Sequence, residues 1–252
     1  MAAIRKDFFP SHLQPVLQQN GVAGCVAVQA DQTEDETSFL LELAQKNDFI
    51  QGIVGWVDLR SARLQERLEY YAQHRHIKGF RHILQGEEPD FMLQPTFLKG
   101  IGLLSTYHFT YDILIYPRHL KAGAALVRQF PDQPFVIDHM AKPFIKDRLI
   151  DNWKKDITAI AQYPNVHCKV SGMVTEADMR NWKPDDFTPY LDVVSEVFGP
   201  DRLLYGSDWP VCLAAADYKD VMGIVRNYFS AFTASEQEAI FRTNASAFYH
   251  LI

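Results

Sequence analysis

The chain has 252 residues, the length expected of a single α/β barrel, and its 47% hydrophobic and 22% charged residues are typical of a globular protein with a large core. A formal net charge of −6, with Lys and Arg dispersed among carboxylates, argues against a nucleic-acid-binding surface. No apolar run reaches the ~18 residues that cross a bilayer. We therefore expect one domain, residues 1–252, that acts on a small molecule and not on nucleic acid or a membrane.

The cysteine content bears on the compartment. Cys25, Cys168 and Cys212 are odd in number and far apart, so they are expected to be reduced and buried. The first residues lack the apolar core of a signal peptide. Both observations predict a cytoplasmic protein.

Short apolar runs rich in β-branched residues alternate with helical patterns along the chain. The predicted strands are residues 22–30, 53–59, 77–83, 111–116, 135–139, 166–171 and 202–208. The predicted helices, with apolar residues at three- and four-residue spacing, are residues 11–20, 37–46, 62–75, 118–130, 147–163, 186–198, 218–232 and 235–249. Apolar strands separated by amphipathic helices indicate a parallel sheet that is buried on both faces.

The number of strands is one short of a closed barrel, which has eight. The deficit lies at the beginning, because the first predicted element is a helix and residues 1–9 are too short and too polar for a strand. A doubly wound open sheet is the alternative, but it usually carries a glycine-rich phosphate loop after its first strand, and residues 28–32 contain no glycine. We predict an α/β fold, a TIM-like (β/α) barrel that lacks its first strand in this chain.

Asp208 is the most informative polar residue, because it ends the last predicted strand. Ligands of parallel α/β folds bind at the carboxyl ends of the strands. A buried carboxylate costs folding energy unless it is paired or used. Asp208 precedes Trp209 and Pro210, so it can equally cap the next turn. From the position of Asp208 alone, a catalytic role and a capping role are about equally well supported.

His139 ends the strand predicted at residues 135–139 and follows Asp138. Side chains alternate between the faces of a strand, so the two residues are not both expected to point into the barrel. A lone histidine is more often structural than functional. A histidine at one strand end beside an aspartate at another favours a functional role.

Two cations lie near the ends of other strands. Arg81 has the fork geometry that suits a carboxylate or a polyhydroxylated substrate, and Lys169 in a buried strand needs an oxygen partner. An internal carboxylate is nearly as good an explanation as a substrate for both side chains.

Seven short segments together resemble the amidohydrolase-related family, in particular its lactonase branch of L-fuconolactonases, L-rhamnonolactonases and pyrone-dicarboxylate lactonases. They occur in the family's order and span most of the chain: Val28-Gln29-Ala30, Gly55-Trp56-Val57-Asp58, Gly79-Phe80-Arg81-His82, Pro117-Arg118-His119-Leu120, Asp138-His139-Met140-Ala141-Lys142-Pro143, Lys169-Val170-Ser171-Gly172 and Gly206-Ser207-Asp208-Trp209-Pro210. Each segment alone indicates this family only weakly, whereas the seven segments in this order indicate it more specifically.

The resemblance implies roles for particular residues. Asp208 would be the last-strand aspartate that shuttles protons, and His139 the histidine that polarises the carbonyl or binds a metal. Arg81 and Lys169 would contact the substrate. Gln29 and Trp209, which lie in the shared segments, are further substrate-binding candidates.

One departure from the family bears on the metal. The family's first strand carries a His-x-His pair that this chain lacks, so the sequence reads as though it starts some twenty residues late. A catalytic zinc needs three protein ligands plus water, and His139 and Asp208 are the two candidate ligands here. We therefore predict that one divalent metal, zinc, binds weakly or not at all to this chain.

These features predict a hydrolase of carbohydrate metabolism. It would open a lactone of a sugar acid or a similar small carboxylated substrate, with Asp208 as general base and then general acid. An amidohydrolase-related decarboxylase is one alternative. A catalytically impaired binding protein is another, because the His-x-His strand is missing. The two open edges of a seven-stranded sheet would favour a homo-oligomer.

Overall fold

The computed structural model describes residues 4–251, and its centre is one sheet of seven parallel strands. The strands follow one another across the sheet in chain order: β1 Cys25–Val28, β2 Ile50–Gly55, β3 Ile77–Ile83, β4 Thr110–Leu114, β5 Phe135–Ile137, β6 Val166–Val170 and β7 Leu203–Tyr205. Each lies within, or overlaps, a strand expected from the sequence. Within residues 4–251, β1 and β7 are the edge strands.

The sheet curls into a half-barrel, so its two faces pack differently. Outer-face residues such as Ile53, Phe80 and Ile113 are buried against the helices. Inner-face residues such as Val54 and Val136 belong to a second, smaller apolar cluster inside the curl. The structure confirms the predicted (β/α) architecture. No helix among the described residues is long and apolar enough to cross a membrane.

Within the described residues, one helix precedes β1, three follow β7, and the others connect successive strands and cover the outer face. Their bounds are α1 Pro10–Gln19, α2 Glu34–Lys46, α3 Leu64–Tyr71, α4 Pro95–Leu104, α5 Leu120–Val127, α6 Asp151–Ala161, α7 Met173–Glu176, α8 Thr188–Phe198, α9 Tyr218–Tyr228, α10 Ala234–Glu238 and α11 Asn244–Phe248. The side chain of Thr33 caps α2 by accepting a hydrogen bond from the Glu36 amide at 3.2 Å. Three acidic residues in the first turn of α2 and Lys46 in its last turn match the helix dipole.

Helix α4 was not expected from the sequence. Gly100 and Gly102 lower its helix propensity. Gly100 is needed because a Cβ there would lie 2.1 Å from the Leu59 carbonyl oxygen. The helix forms because tertiary packing buries Phe97 and Ile101.

The C-terminal segment also differs from the single helix predicted for residues 235–249. It consists of α10, one π-helical turn (Ala239–Thr243) and α11. Asn244 connects this segment to the sheet, because its amide donates to the carbonyl oxygens of Pro200 and Leu203 at 2.7 and 2.8 Å. At the end of α11, Phe248 and the following Tyr249 enter the inner apolar cluster.

Candidate active site

His139 and Asp208 lie close together at the end of the half-barrel where the strands terminate. His139 follows β5 and Asp208 follows β7, and His139 Nε2 is 3.7 Å from Asp208 Oδ1. This separation is longer than a hydrogen bond, so a water or substrate oxygen can contact both groups. Each side chain is 12% exposed, and among the described residues Asp208 Oδ2 has no hydrogen-bond partner. We call these two residues, which are candidates for a catalytic role, the catalytic pair.

The expectation that Asp138 and His139 point to opposite faces was wrong. Strand β5 ends at Ile137, two residues before the predicted end, and Asp138 begins a tight turn in which His139 and Met140 have φ of 54° and 53°. Alternation applies only to extended backbone. Both side chains therefore reach the inside of the half-barrel, where Asp138 bonds Arg81 and His139 meets Asp208.

Ser171 and Gly172, which follow β6, hold the imidazole of His139. The Ser171 Oγ lies 2.8 Å from His139 Nδ1. Gly172 has φ of 66°, and a Cβ at this position would lie 2.7 Å from His139 Cγ. A larger residue would displace the ring, so the Ser-Gly sequence fixes the direction in which His139 Nε2 points.

Below the catalytic pair lie four charged side chains in mutual contact, Arg81, Asp112, Asp138 and Lys169, which we call the inner charge cluster. Lys169 Nζ is 2.5 Å from Asp112 Oδ2 and 2.7 Å from Asp138 Oδ1. Arg81 Nη1 donates to Asp138 Oδ2 at 2.8 Å. Both carboxylates are fully buried. The two cations thus have internal carboxylate partners; a substrate contact by Arg81 or Lys169 stays a prediction.

The remaining predicted substrate-binding residues occupy different surroundings. Gln29, which follows β1, is fully buried; its carbonyl oxygen accepts from Arg81 Nη2, and its side-chain amide donates to the Arg81 carbonyl oxygen at 3.2 Å. Trp209 packs edge-on against Phe8, with ring centroids 5.1 Å apart, and borders a cavity of about 470 Å³. Gln29 therefore holds Arg81 in place, whereas Trp209 borders a cavity.

Burial and ion pairing set the protonation states of this region. Burial lowers the pKa of His139 below its usual value, opposed by Asp208 and Asp138, so the imidazole is neutral near pH 7. Burial raises the pKa of Asp112 to about 6, opposed by Lys169. Burial would also raise the pKa of Asp138, but Lys169 and Arg81 hold it well below its usual range. Burial lowers the pKa of Lys169, yet the two carboxylates outweigh it and the pKa is raised.

Sequence reasoning missed Asp112 and Tyr249. The Asp112 carboxylate accepts from the Tyr249 hydroxyl at 2.8 Å. Asp112 is the only charged residue in the apolar run of β4, a signal that points to a buried partner. Tyr249 had no comparable signal, because it lies more than a hundred residues away in the C-terminal segment.

The described residues do not form a three-ligand zinc site. Within residues 4–251 there is no cluster of three or more His, Cys, Asp or Glu side chains placed to hold a metal ion. His139 and Asp208 give two donors, whereas catalytic zinc usually takes three protein ligands plus water. The donor set described here does not fit that pattern, and the weak zinc binding expected from the sequence stays a prediction.

A parallel half-barrel with an acid and an imidazole at its strand ends is the architecture of a (β/α)-barrel hydrolase. The amidohydrolase family model matches residues 2–251, so the chain belongs to the amidohydrolase family. This finding confirms the resemblance recognised in the seven segments.

Named relatives are similar over the whole chain. The L-fucono-1,5-lactonase of Burkholderia multivorans is 35% identical, with 100% of this chain and 88% of the relative aligned. The L-fucono-1,5-lactonase of Burkholderia ambifaria is also 35% identical, over 99% of this chain and 87% of the relative. A crystal structure of a Burkholderia multivorans amidohydrolase with bound zinc has a TM-score of 0.96 at 36% identity, covering 100% of this chain and 92% of that one.

Proposed function

We propose that this protein hydrolyses an uncharged sugar lactone of the L-fucono-1,5-lactone kind. The observation that carries the proposal is the catalytic pair, with His139 Nε2 and Asp208 Oδ1 3.7 Å apart and a buried carboxylate oxygen of Asp208 that has no hydrogen-bond partner within residues 4–251. Whole-length similarity to L-fucono-1,5-lactonases supports the same reaction. Neither decarboxylation nor an impaired binding protein is favoured, because two relatives that are 35% identical over 99–100% of this chain are lactonases.

The reaction needs a base for water and an acid for the leaving oxygen. The Asp208 carboxylate takes a proton from water as the water oxygen bonds to the lactone carbonyl carbon. When the ring C–O bond breaks, Asp208 returns this proton to the ring oxygen, which becomes a hydroxyl. The product is a hydroxy acid, which ionises near pH 7 and releases a proton to the buffer.

His139 acts as a hydrogen-bond donor in this scheme. The imidazole is neutral, and its Nδ1 lies 2.8 Å from the Ser171 hydroxyl. With that hydroxyl donating to Nδ1, the imidazole proton is on Nε2, which faces the catalytic pair's shared space. The Nε2–H group can then stabilise the negative charge that develops on the carbonyl oxygen.

The charge balance of the inner charge cluster favours a substrate that carries no charge. Near pH 7 it carries two positive and two negative charges, and each cation contacts a carboxylate at 2.5–2.8 Å. A substrate carboxylate would therefore meet no unneutralised cation in the cluster and would face the negative charge of Asp208. This argues against the carboxylated substrates included in the sequence-based expectation.

An Asp208→Asn variant tests the proposal. Asparagine keeps the shape but cannot accept the proton, so kcat should fall by ~10²–10⁴-fold. Proton release from L-fucono-1,5-lactone, followed with a pH indicator, measures the rate. Asp201→Asn is the control, because Asp201 is exposed and lies before β7, and it should keep full activity. Retained activity in Asp208→Asn with an unchanged melting temperature would end the proposal.

Matched lactones test the substrate class. L-Galactono-1,4-lactone and galactaro-1,4-lactone differ in whether the terminal carbon is a hydroxymethyl group or a carboxylate. We expect kcat/KM to be at least about a hundredfold lower for the carboxylated ring, since an unpaired buried charge costs a few kcal/mol. Equal rates would refute the uncharged-substrate part and leave lactone hydrolysis standing.

A further inference from the structure

Residues 248–250 lie inside the half-barrel, at the end opposite the catalytic pair. The Phe248 ring lies 4.8 Å from the His167 ring of β6, and Lys78 of β3 donates to the His250 carbonyl oxygen at 3.0 Å. Phe248 and Tyr249 are buried inside the curl. A segment distant in sequence thus contacts β3 and β6 from the inside.

Tyr249 extends from this segment into the inner charge cluster. Its hydroxyl donates to Asp112 Oδ2 at 2.8 Å, the same oxygen that Lys169 Nζ contacts at 2.5 Å. Lys169 Nζ also lies 5.6 Å from the centroid of the Tyr249 ring. Among residues 4–251, the other Asp112 oxygen has no hydrogen-bond partner. Asp112 therefore depends on Lys169 and Tyr249 for its orientation.

The contacts continue from Asp112 to the catalytic pair. The Lys169 ammonium group contacts both Asp112 and Asp138. Asp138 immediately precedes His139 and its turn of positive φ, so the contacts of its carboxylate help to fix the backbone that carries the imidazole. Three polar contacts thus join the C-terminal segment to Asp138, the residue before His139.

We propose that Tyr249 is a positioning residue for lactone hydrolysis, which holds Asp112 and Lys169 in place beneath the catalytic pair. The inference rests on the proposed function. Burial raises the pKa of the Tyr249 hydroxyl well above its usual value, so the group stays a hydrogen-bond donor throughout the working pH range. Without this donor, Lys169 alone orients the Asp112 carboxylate, which is then free to rotate. Because Lys169 moves with Asp112, its ammonium group leaves its position between Asp112 and Asp138.

The test compares Tyr249→Phe with Tyr228→Phe. Each variant removes one hydroxyl that donates to an aspartate, since the Tyr228 hydroxyl bonds Asp192 at 2.7 Å near the surface. We expect kcat for L-fucono-1,5-lactone to fall about tenfold in Tyr249→Phe with KM within about twofold. Tyr228→Phe should match wild type. A purely structural role would lower the melting temperature and leave kcat of the folded enzyme unchanged.

A second measurement does not need catalysis. Lys169 should react slowly with acetic anhydride in wild type, because its ammonium group is held by two buried carboxylates, and about tenfold faster in Tyr249→Phe, as read by peptide mass mapping. Wild-type kcat in Tyr249→Phe overturns the positioning role, whatever the labelling. Unchanged Lys169 labelling also overturns it. No lactone opening by wild type would instead show that the proposed function has failed.

Discussion

Replacing Lys169 by methionine tests whether the inner charge cluster is ionised and buried. The substitution leaves two fully buried carboxylates, each deprived of an ammonium group at 2.5 or 2.7 Å. Removing one partner of a buried ion pair costs ~3–5 kcal/mol. Arg81 still pairs with Asp138 and Tyr249 still bonds Asp112, so we expect a cost near the lower end, about 3 kcal/mol. That corresponds to a fall in melting temperature of ~6–12 °C for a chain of this size.

The pH dependence of this loss has a definite sign. The pKa of Asp112 is raised to about 6 in the folded protein, above its ordinary 3.8, so protonation stabilises the folded state as pH falls through 6. Loss of Lys169 raises this pKa further, because its cation opposes the shift. The variant therefore gains more stability than wild type on acidification, and the difference between their melting temperatures should narrow from pH 7.5 to pH 5.

Thermal unfolding followed by circular dichroism measures both effects. Lys46→Met is the control, because Lys46 is 70% exposed and its pair with Glu42 is worth at most about 1 kcal/mol. A double variant, Lys169→Met with Asp112→Asn, should recover part of the loss because it removes one uncompensated charge. If Lys169→Met melts within ~2 °C of the control at pH 7.5, the description of the cluster as a buried ionised network is wrong.

Two further predictions concern His167 and zinc. Burial is the larger cause and Arg202 the smaller cause that lower the pKa of His167 from 6.5 to about 4. The neutral imidazole therefore contributes its whole stabilisation above pH 6.5. This contribution, about 3 kcal/mol, is lost as the pH falls from 6.5 to 4. His167→Gln should thus have a shallower loss of melting temperature over that interval, and identical pH slopes would contradict the assignment. For zinc, equimolar metal or EDTA should leave the melting temperature unchanged, since stabilisation requires an occupied site; a rise with zinc that His139→Ala abolishes would show that the pair suffices as a site.

The sequence identified the regular part of the fold but not its irregular turns. Periodicity revealed the strands because parallel strands buried on both faces are apolar throughout. Helix α4 was missed because Gly100 and Gly102 mask a helix that packing stabilises. The turn at Asp138 was missed because left-handed backbone at non-glycine residues has no reliable signal in a single sequence.

The residues of the candidate site were likewise predicted only in part. Asp208, His139, Arg81 and Lys169 were identified from their positions at or near strand ends, and the structure brings all four to the inside of the half-barrel. Their partners could not be assigned, because Asp112 lies 57 residues from Lys169 and 137 from Tyr249. Spatial proximity over such separations depends on how the sheet curls, which local patterns do not encode.

The charges of the site suggest why an ion-paired layer lies beneath the catalytic pair. The cluster is neutral overall and His139 is neutral, so Asp208 carries the single unbalanced charge. In the proposed reaction, this negative charge passes from Asp208 to the carbonyl oxygen as water attacks, and the total charge of the site does not change. A low-polarity site can accommodate the transfer with one N–H donor, because no new charge is created. An excess cation in the cluster would stabilise the Asp208 carboxylate before reaction and so weaken it as a base.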